Sequence, residues 1–186
     1  MISENKIKIG ILTISDRAAK NEYEDISGKA IEEILTTYLK NSWNSVCNIV
    51  SDDKQKIASE LIKLSDQENC CLVVTTGGTG PAQRDVTPEA TESVCEKILP
   101  GFGELMRSVS LKYVPTAILS RQTAGIRNKT LILNLPGNPS AIAQCLEAVF
   151  PAIPDCLEVI ADISLECDEN IIKIHHSQHK KQGVEK

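Results

Sequence analysis

Aromatic residues are scarce in this chain, with Phe, Tyr and Trp together filling 3% of its 186 positions. Its core must therefore be aliphatic, which suits β-branched strands packed under Leu- and Ala-bearing helices and points to an α/β protein. Long apolar runs are also missing, and none approaches the ~20 residues of a membrane-spanning helix. Cysteine occurs at 47, 70, 71, 95, 145, 156 and 167, without a paired CxxC spacing and with no signal-peptide pattern before it. The thiols are expected to stay reduced, as in a cytoplasmic protein. Scattered cysteines beside a tail bearing His175, His176 and His179 are more often incidental than a zinc site. Arginine supplies only five of the twenty basic residues, and four of these, Arg84, Arg107, Arg121 and Arg127, fall in one central stretch. The formal charge is −5, with +3 on residues 171–186 and −8 on the rest. Such a balance argues against general nucleic-acid binding. Clustered arginines on an acidic protein point instead to a local anion site, or, for Arg107 and Arg127, to surface ion pairs.

What the chain does contain is strand and helix in alternation, with no internal repeat and no dividing linker. Strands are expected at Lys8–Ile14, Trp43–Val50, Cys70–Thr75 and Thr130–Leu135, with a short extended segment at Thr116–Leu119. The first helix should start at Ser27 as N-cap and bury Ala30, Ile31, Ile34, Leu35 and Tyr38. The second carries Ile57, Leu61 and Leu64. Further helices are expected from Thr87 to about Ile98, from Phe102 to Lys112, from Pro139 behind an Asn138 cap to Val149, and last to about Ile163. The implied fold is a three-layer α/β/α domain with a mostly parallel sheet. Residues 1–165 form the domain, and 166–186 read as a polar, weakly ordered tail.

In an open α/β sheet ligands bind beyond the carboxyl ends of the strands. Four polar loops are expected there: Ser15-Asp16-Arg17, Ser51-Asp52-Asp53, Thr76-Gly77-Gly78-Thr79-Gly80 running on to Arg84-Asp85, and Pro136-Gly137-Asn138-Pro139-Ser140. Glycines let the backbone turn at positive φ and bring its N–H groups close to an oxyanion. The loop is not a P-loop, since no Lys-Ser/Thr follows, and it lacks the G-x-G-x-x-G spacing. Asp52 and Asp85 follow neighbouring strands, and two carboxylates facing phosphates need a cation such as Mg²⁺. Alone, Asp52 or Asp53 reads better as a helix N-terminal residue. Asp85, directly behind the glycine loop, reads better as functional. The Asn138 helix start is a second place where a phosphate could sit.

These motifs together resemble the molybdopterin adenylyltransferases, the Mog group related to the gephyrin G domain of molybdenum cofactor synthesis. The resemblance covers about residues 6–150 and rests on Thr75 to Thr87 (TTGGTGPAQRDVT), Pro100 to Glu104 (PGFGE), Pro115 to Arg121 (PTAILSR) and Leu133 to Ser140 (LNLPGNPS). It implies a molybdopterin-binding-protein fold and transfer of AMP from Mg²⁺-ATP to the terminal phosphate of molybdopterin, with release of pyrophosphate. It implies Asp52 and Asp85 as the catalytic, Mg²⁺-organising pair. Thr76, Gly77, Gly78, Thr79, Gly80, Asn134, Pro136, Gly137, Asn138, Pro139 and Ser140 would line the nucleotide side, and Ser110, Ser120 and Arg121 the pterin side. It also implies a homotrimer and leaves room for hand-over to a molybdenum-insertion protein. A non-catalytic pterin-binding paralogue on the same fold is the alternative.

Overall fold

The computed structural model describes residues 7–20 and 22–175. Within them β1 (Ile7–Ile14), β2 (Trp43–Val50), β3 (Leu72–Thr76), β4 (Lys97–Ile98), β5 (Ala124–Arg127) and β6 (Thr130–Leu135) form one sheet in the order β2-β1-β3-β6-β5-β4. The first four in that order run parallel, and β5 and β4 close the edge antiparallel. Side chains alternate across the sheet. Ile9, Ile11, Leu72, Val74, Leu131, Leu133 and Leu135 face one side and Leu12, Ile14, Val73 and Ile132 the other, as a period of two requires.

Helices cover both faces, so β3 and β6 are buried along their whole length. On the first face lie α2 (Ile26–Tyr38), α5 (Pro100–Ser110), α6 (Pro139–Val149) and α7 (Ile153–Ala161), which contribute Ile31, Leu35, Met106, Ile142, Leu146, Ile153 and Leu157. On the second lie α3 (Lys54–Ile62), extended by a π turn at Lys63–Gln67, and α4 (Thr87–Val94). A four-residue helix, α1 (Asp16–Ala19), stands at the end of β1. The layered, mostly parallel architecture is the one expected.

Several local expectations give way to tertiary partners. The α2 cap is Asp25, not Ser27: its carboxylate accepts from the Gly28 amide at 2.9 Å and from the Thr13 hydroxyl at 2.6 Å, so the strand anchors the cap. Helix α4 stops at Val94 because the next residues turn extended, where Glu96 and Leu99 donate to Ile126 and Ala124 carbonyls at 2.9 and 2.7 Å. Strands β4 and β5 are too short to show a period in the sequence. Pro115–Leu119 is a 3₁₀ turn rather than an extended segment, opened by a proline whose φ suits it.

From residue 166 onward the described chain packs rather than trailing away. Lys40 and Glu166 share a backbone bond of 2.8 Å, Asp168 donates to the Tyr38 carbonyl at 2.9 Å, and Cys167 bridges to Leu39. Leu165, Cys167 and Ile172 are buried in the larger core, while His176 and His179 lie outside the described residues. Burial of such a side chain contributes about 1.5–3 kcal/mol. Truncation after Ser164 is therefore expected to cost roughly 3 kcal/mol or more in urea unfolding, even after the freed chain entropy is counted; a loss under about 0.5 kcal/mol would show that this segment adds nothing.

Candidate active site

Register sets the site. Ile14 pairs with Val50, Thr13 with Thr76, and Thr76 with Leu135, so β1, β2, β3 and β6 end at one edge and release all four polar loops there. Gly77 and Gly78 take positive φ values of 96° and 62°. A Cβ on Gly77 would stand 2.3 Å from the Ile14 carbonyl oxygen, and one on Gly78 2.4 Å from Thr87 Oγ1. Both conformation and space therefore demand glycine. The Thr87 hydroxyl donates to the Gly77 carbonyl at 2.9 Å, tying the start of α4 to the loop. The Thr76 hydroxyl donates to the Pro136 carbonyl at 2.8 Å, and Ser27 to the Gly137 carbonyl at 2.8 Å. The glycine loop and the Pro136–Ser140 loop thus form one continuous wall.

Three carboxylates, Asp16, Asp52 and Asp85, stand at this wall. Asp16 and Asp52 exchange bonds, the Asp16 amide to Asp52 Oδ2 at 2.8 Å and the Asp52 amide to Asp16 Oδ1 at 3.1 Å, which clips the β1 and β2 loops together. Arg84 donates to Asp16 Oδ2 at 2.5 Å and holds that carboxyl below its usual range. Asp52 moves the other way. Burial pushes its carboxyl up, and the charges of Asp16 and Asp85 add to this against the Asp16 amide and Arg84. Asp52 Oδ1 lies 3.4 Å, and Asp85 Oδ2 2.7 Å, from the points where Gly78 and Gly80 would carry a Cβ. Asp85 Oδ2 accepts from the Ala82 amide at 2.9 Å. Neighbouring Asp53 is occupied elsewhere: it caps α3, accepting from the Gln55 and Lys56 amides at 3.0 Å each. Geometry thus distinguishes the adjacent aspartates, one facing the loop and one holding a helix.

Other expected residues are less exposed. Asn134 is fully buried, donating to Thr75 and Thr91 hydroxyls at 3.1 and 2.9 Å, so it supports the glycine loop from beneath. Ser110 is buried against Cys145 Sγ at 3.5 Å, and the Ser120 hydroxyl is buried with no partner among the described residues. Asn138 caps α6 through the Ser140 amide at 2.9 Å and hydroxyl at 2.7 Å, leaving Pro136, Gly137 and Pro139 at the rim. The Arg121 guanidinium is bound within the protein. Its Nε donates to the Gly80 carbonyl at 2.9 Å, its Nη2 to the Asp85 carbonyl and its Nη1 to Glu89, while its own amide donates to Thr79 at 2.8 Å. Arg121 therefore clamps both ends of the stretch from Thr79 to Asp85. Glu89, despite its burial, is held below the usual range by this arginine.

Beside the clamp is an open cavity of about 450 Å³, lined in part by Lys54, Gln83, Asp85, Glu89 and Arg121. Of these, Lys54 and Glu89 carry no motif signal; Glu89 in a first helical turn reads as an ordinary dipole partner. Asp16 lies in the polar loop after β1 and Thr87 at the end of the glycine-loop motif, but their partners appear only in three dimensions. Among the described residues no three His, Cys, Asp or Glu side chains converge as metal ligands, and all seven cysteines are free thiols.

A family model described as a probable molybdopterin binding domain matches residues 10–155. The molybdopterin adenylyltransferase of Helicobacter pylori (strain ATCC 700392 / 26695) is 62% identical over 167 residues, covering 90% of this chain and 95% of that protein. The molybdopterin adenylyltransferase of Escherichia coli K12 is 40% identical over 192 residues, covering 97% and 98%. The crystal structure of the molybdopterin biosynthesis enzyme MoaB from Thermus thermophilus superposes with a TM-score of 0.78 at 40% identity, over 86% of this chain and 99% of that one. With the sheet, the glycine loop and these matches running over nearly the whole chain, it belongs to the molybdopterin-binding-domain family.

Proposed function

We propose that this chain is a molybdopterin adenylyltransferase: it moves AMP from Mg²⁺-ATP to the terminal phosphate of molybdopterin and releases pyrophosphate. Relatives of that name at 62% and 40% identity support the activity. The observation that carries it is the convergence of Asp52 and Asp85 over a glycine loop whose amides can meet phosphate oxygens. The transfer needs no protein nucleophile. A phosphate oxygen of molybdopterin attacks the α-phosphorus, the α–β anhydride bond breaks, and its electron pair leaves with pyrophosphate. An ionised phosphate needs no general base either, so the protein's work is positioning and charge neutralisation.

Hard carboxylate oxygens on two mutually repelling aspartates fit Mg²⁺, which takes one or two carboxylates and completes its shell with phosphate oxygens and water. Bound there with the nucleotide, it would neutralise charge on the triphosphate. Asp52 and Asp85 hold this position, Thr76 and Thr79 hold the loop's shape, Gly77 makes the turn with its own amide on the Leu135 carbonyl at 3.4 Å, and Gly78 and Gly80 bring amides to the phosphates. The Pro136–Ser140 loop walls the same crevice, with Asn134 beneath it. Ser120 remains the pterin-side candidate nearest the clamp; Arg121 serves that side by fixing the loop, and Ser110 by joining α5 to α6 through Cys145.

The reading extends to assembly and place. Leu105, Leu111, Tyr113, Val114, Ile118 and Leu119 are exposed along α5 and the turn after it, an apolar surface that suits further copies in a homotrimer. Seven free thiols suit the reducing cytoplasm, where the product could pass to a molybdenum-insertion protein.

Incubation with molybdopterin and Mg²⁺-ATP should release pyrophosphate above the no-enzyme control; none would mark a pterin-binding paralogue instead. Asp85→Asn is expected to abolish that release while leaving pterin fluorescence titrations nearly unchanged, and near-normal turnover would remove Asp85 from the chemistry. Because Asp52 titrates above its ordinary 3.8, its folded state favours the protonated form, and its charge weakens the fold as pH rises through that raised value. Asp52→Asn should therefore be inactive yet more stable at pH 7, with the gain fading as pH falls from the raised value to the ordinary one and absent below it. Equal stability at pH 7 would show the carboxylate to be unstrained. Arg121→Ala should lower kcat at least 10-fold with little change in pterin affinity; weaker affinity at unchanged kcat would return Arg121 to the pterin.

A further inference from the structure

A triphosphate entering beside Asp85 needs a cation, and Arg121, expected on the pterin side and standing next to Asp85, already has Nε, Nη1 and Nη2 on protein oxygens. Arg84 is committed to Asp16, and Arg107 to the Ser120 and Gln122 carbonyls at 3.4 and 2.8 Å. The starts of α3 and α6 offer no substitute, because Asp53 occupies the first free amides of α3 and Asn138 that of Ser140 in α6. One cation on the cavity wall is left. Lys54 is the first residue of α3, directly behind Asp52-Asp53, and lines the cavity with Asp85, Gln83 and Arg121. Among the described residues its ammonium has no hydrogen-bond or ion-pair partner, and it is near enough to Glu89 to add to that carboxylate's acidity.

We infer that Lys54 is a substrate-binding residue of this site, its ammonium meeting the β- and γ-phosphates of the nucleotide, the part that leaves as pyrophosphate. The inference rests on the adenylyltransferase reading for the identity of the ligand. A lysine on a four-carbon stem suits this place, since it acts as a mobile point charge, whereas the fixed fork of Arg121 suits the loop carbonyls. Its position at the start of α3 puts it directly after the loop that carries Asp52. The carboxylate and the ammonium would then approach the triphosphate from one element, while Asp85 approaches from the next. As pyrophosphate departs with its added charge, a cation at that end lowers the energy of the leaving group.

Calorimetric titration of the intact protein with Mg²⁺-ATP and with AMP tests this directly. Lys54→Ala should weaken Mg²⁺-ATP binding at least 10-fold and AMP binding less than 2-fold, and Lys54→Arg should restore most of the loss. Raising salt should weaken binding more steeply in the wild type than in Lys54→Ala. Equal weakening toward AMP, or no change toward Mg²⁺-ATP in a variant with an unaltered unfolding transition, overturns the assignment. If Lys54-dependent ATP binding is found but no pyrophosphate is released on adding molybdopterin, the proposed reaction fails while the role of Lys54 stands.

Discussion

Parallel pairing of β1 with a strand on each side is the constraint from which the site follows. With Ile14 opposite Val50 and Thr13 opposite Thr76, three chain segments far apart in sequence must leave the sheet at the same level. That level puts Asp52 within reach of both Asp16 and Gly78, and the Asp16–Asp52 exchange of amide and carboxylate bonds ties the two loops together. A one-residue slip in either pairing would turn every side chain to the opposite face and break the aliphatic layers on both sides. The register needed for the core is therefore the register that assembles the crevice.

Charge at the crevice is arranged against local comfort. Asp52 is partly buried and faces two other aspartates, with Arg84 and the Asp16 amide in compensation among the described residues. A fold selected for stability alone would place an amide or an alcohol here. Unrelieved repulsion of this kind persists where a cationic ligand supplies the missing neutralisation. The basic groups nearby divide the work between them. Guanidinium groups hold the protein to itself, as Arg121 does with Gly80, Asp85 and Glu89, and an ammonium is left for solvent and ligand.

Where the chain writes structure in long periodic runs, the sequence could be read: β2 and β6 have the expected ends, as does α6 with its Asn138 cap and Pro139 start. Misreadings gather where a distant partner decides the outcome. Asp25 displaces Ser27 as a cap because Thr13 waits on the neighbouring strand, and Val94 ends α4 because β5 lies beside the next residues. In the site, Asp52, Asp85 and the glycines announce themselves through their motif. The partners of Arg121 do not, since an arginine bound to two carbonyls and a glutamate looks in sequence like one waiting for a phosphate. Lys54 carries no motif at all; only the commitment of the other nearby cations makes it stand out.

The close approach of Gly77 to Ile14 limits how this crevice can evolve. Where an added methyl group would collide with a carbonyl oxygen of the sheet itself, no rotamer change can make room, and single substitutions in the floor are closed to drift. Main chain rather than side chains forms that floor. Diversification of what the crevice accepts must therefore come from residues that reach over it from exposed positions, Gln83 and Lys54 among them. A fixed bed with a replaceable rim would let substrate preference change without first passing through a misfolded intermediate.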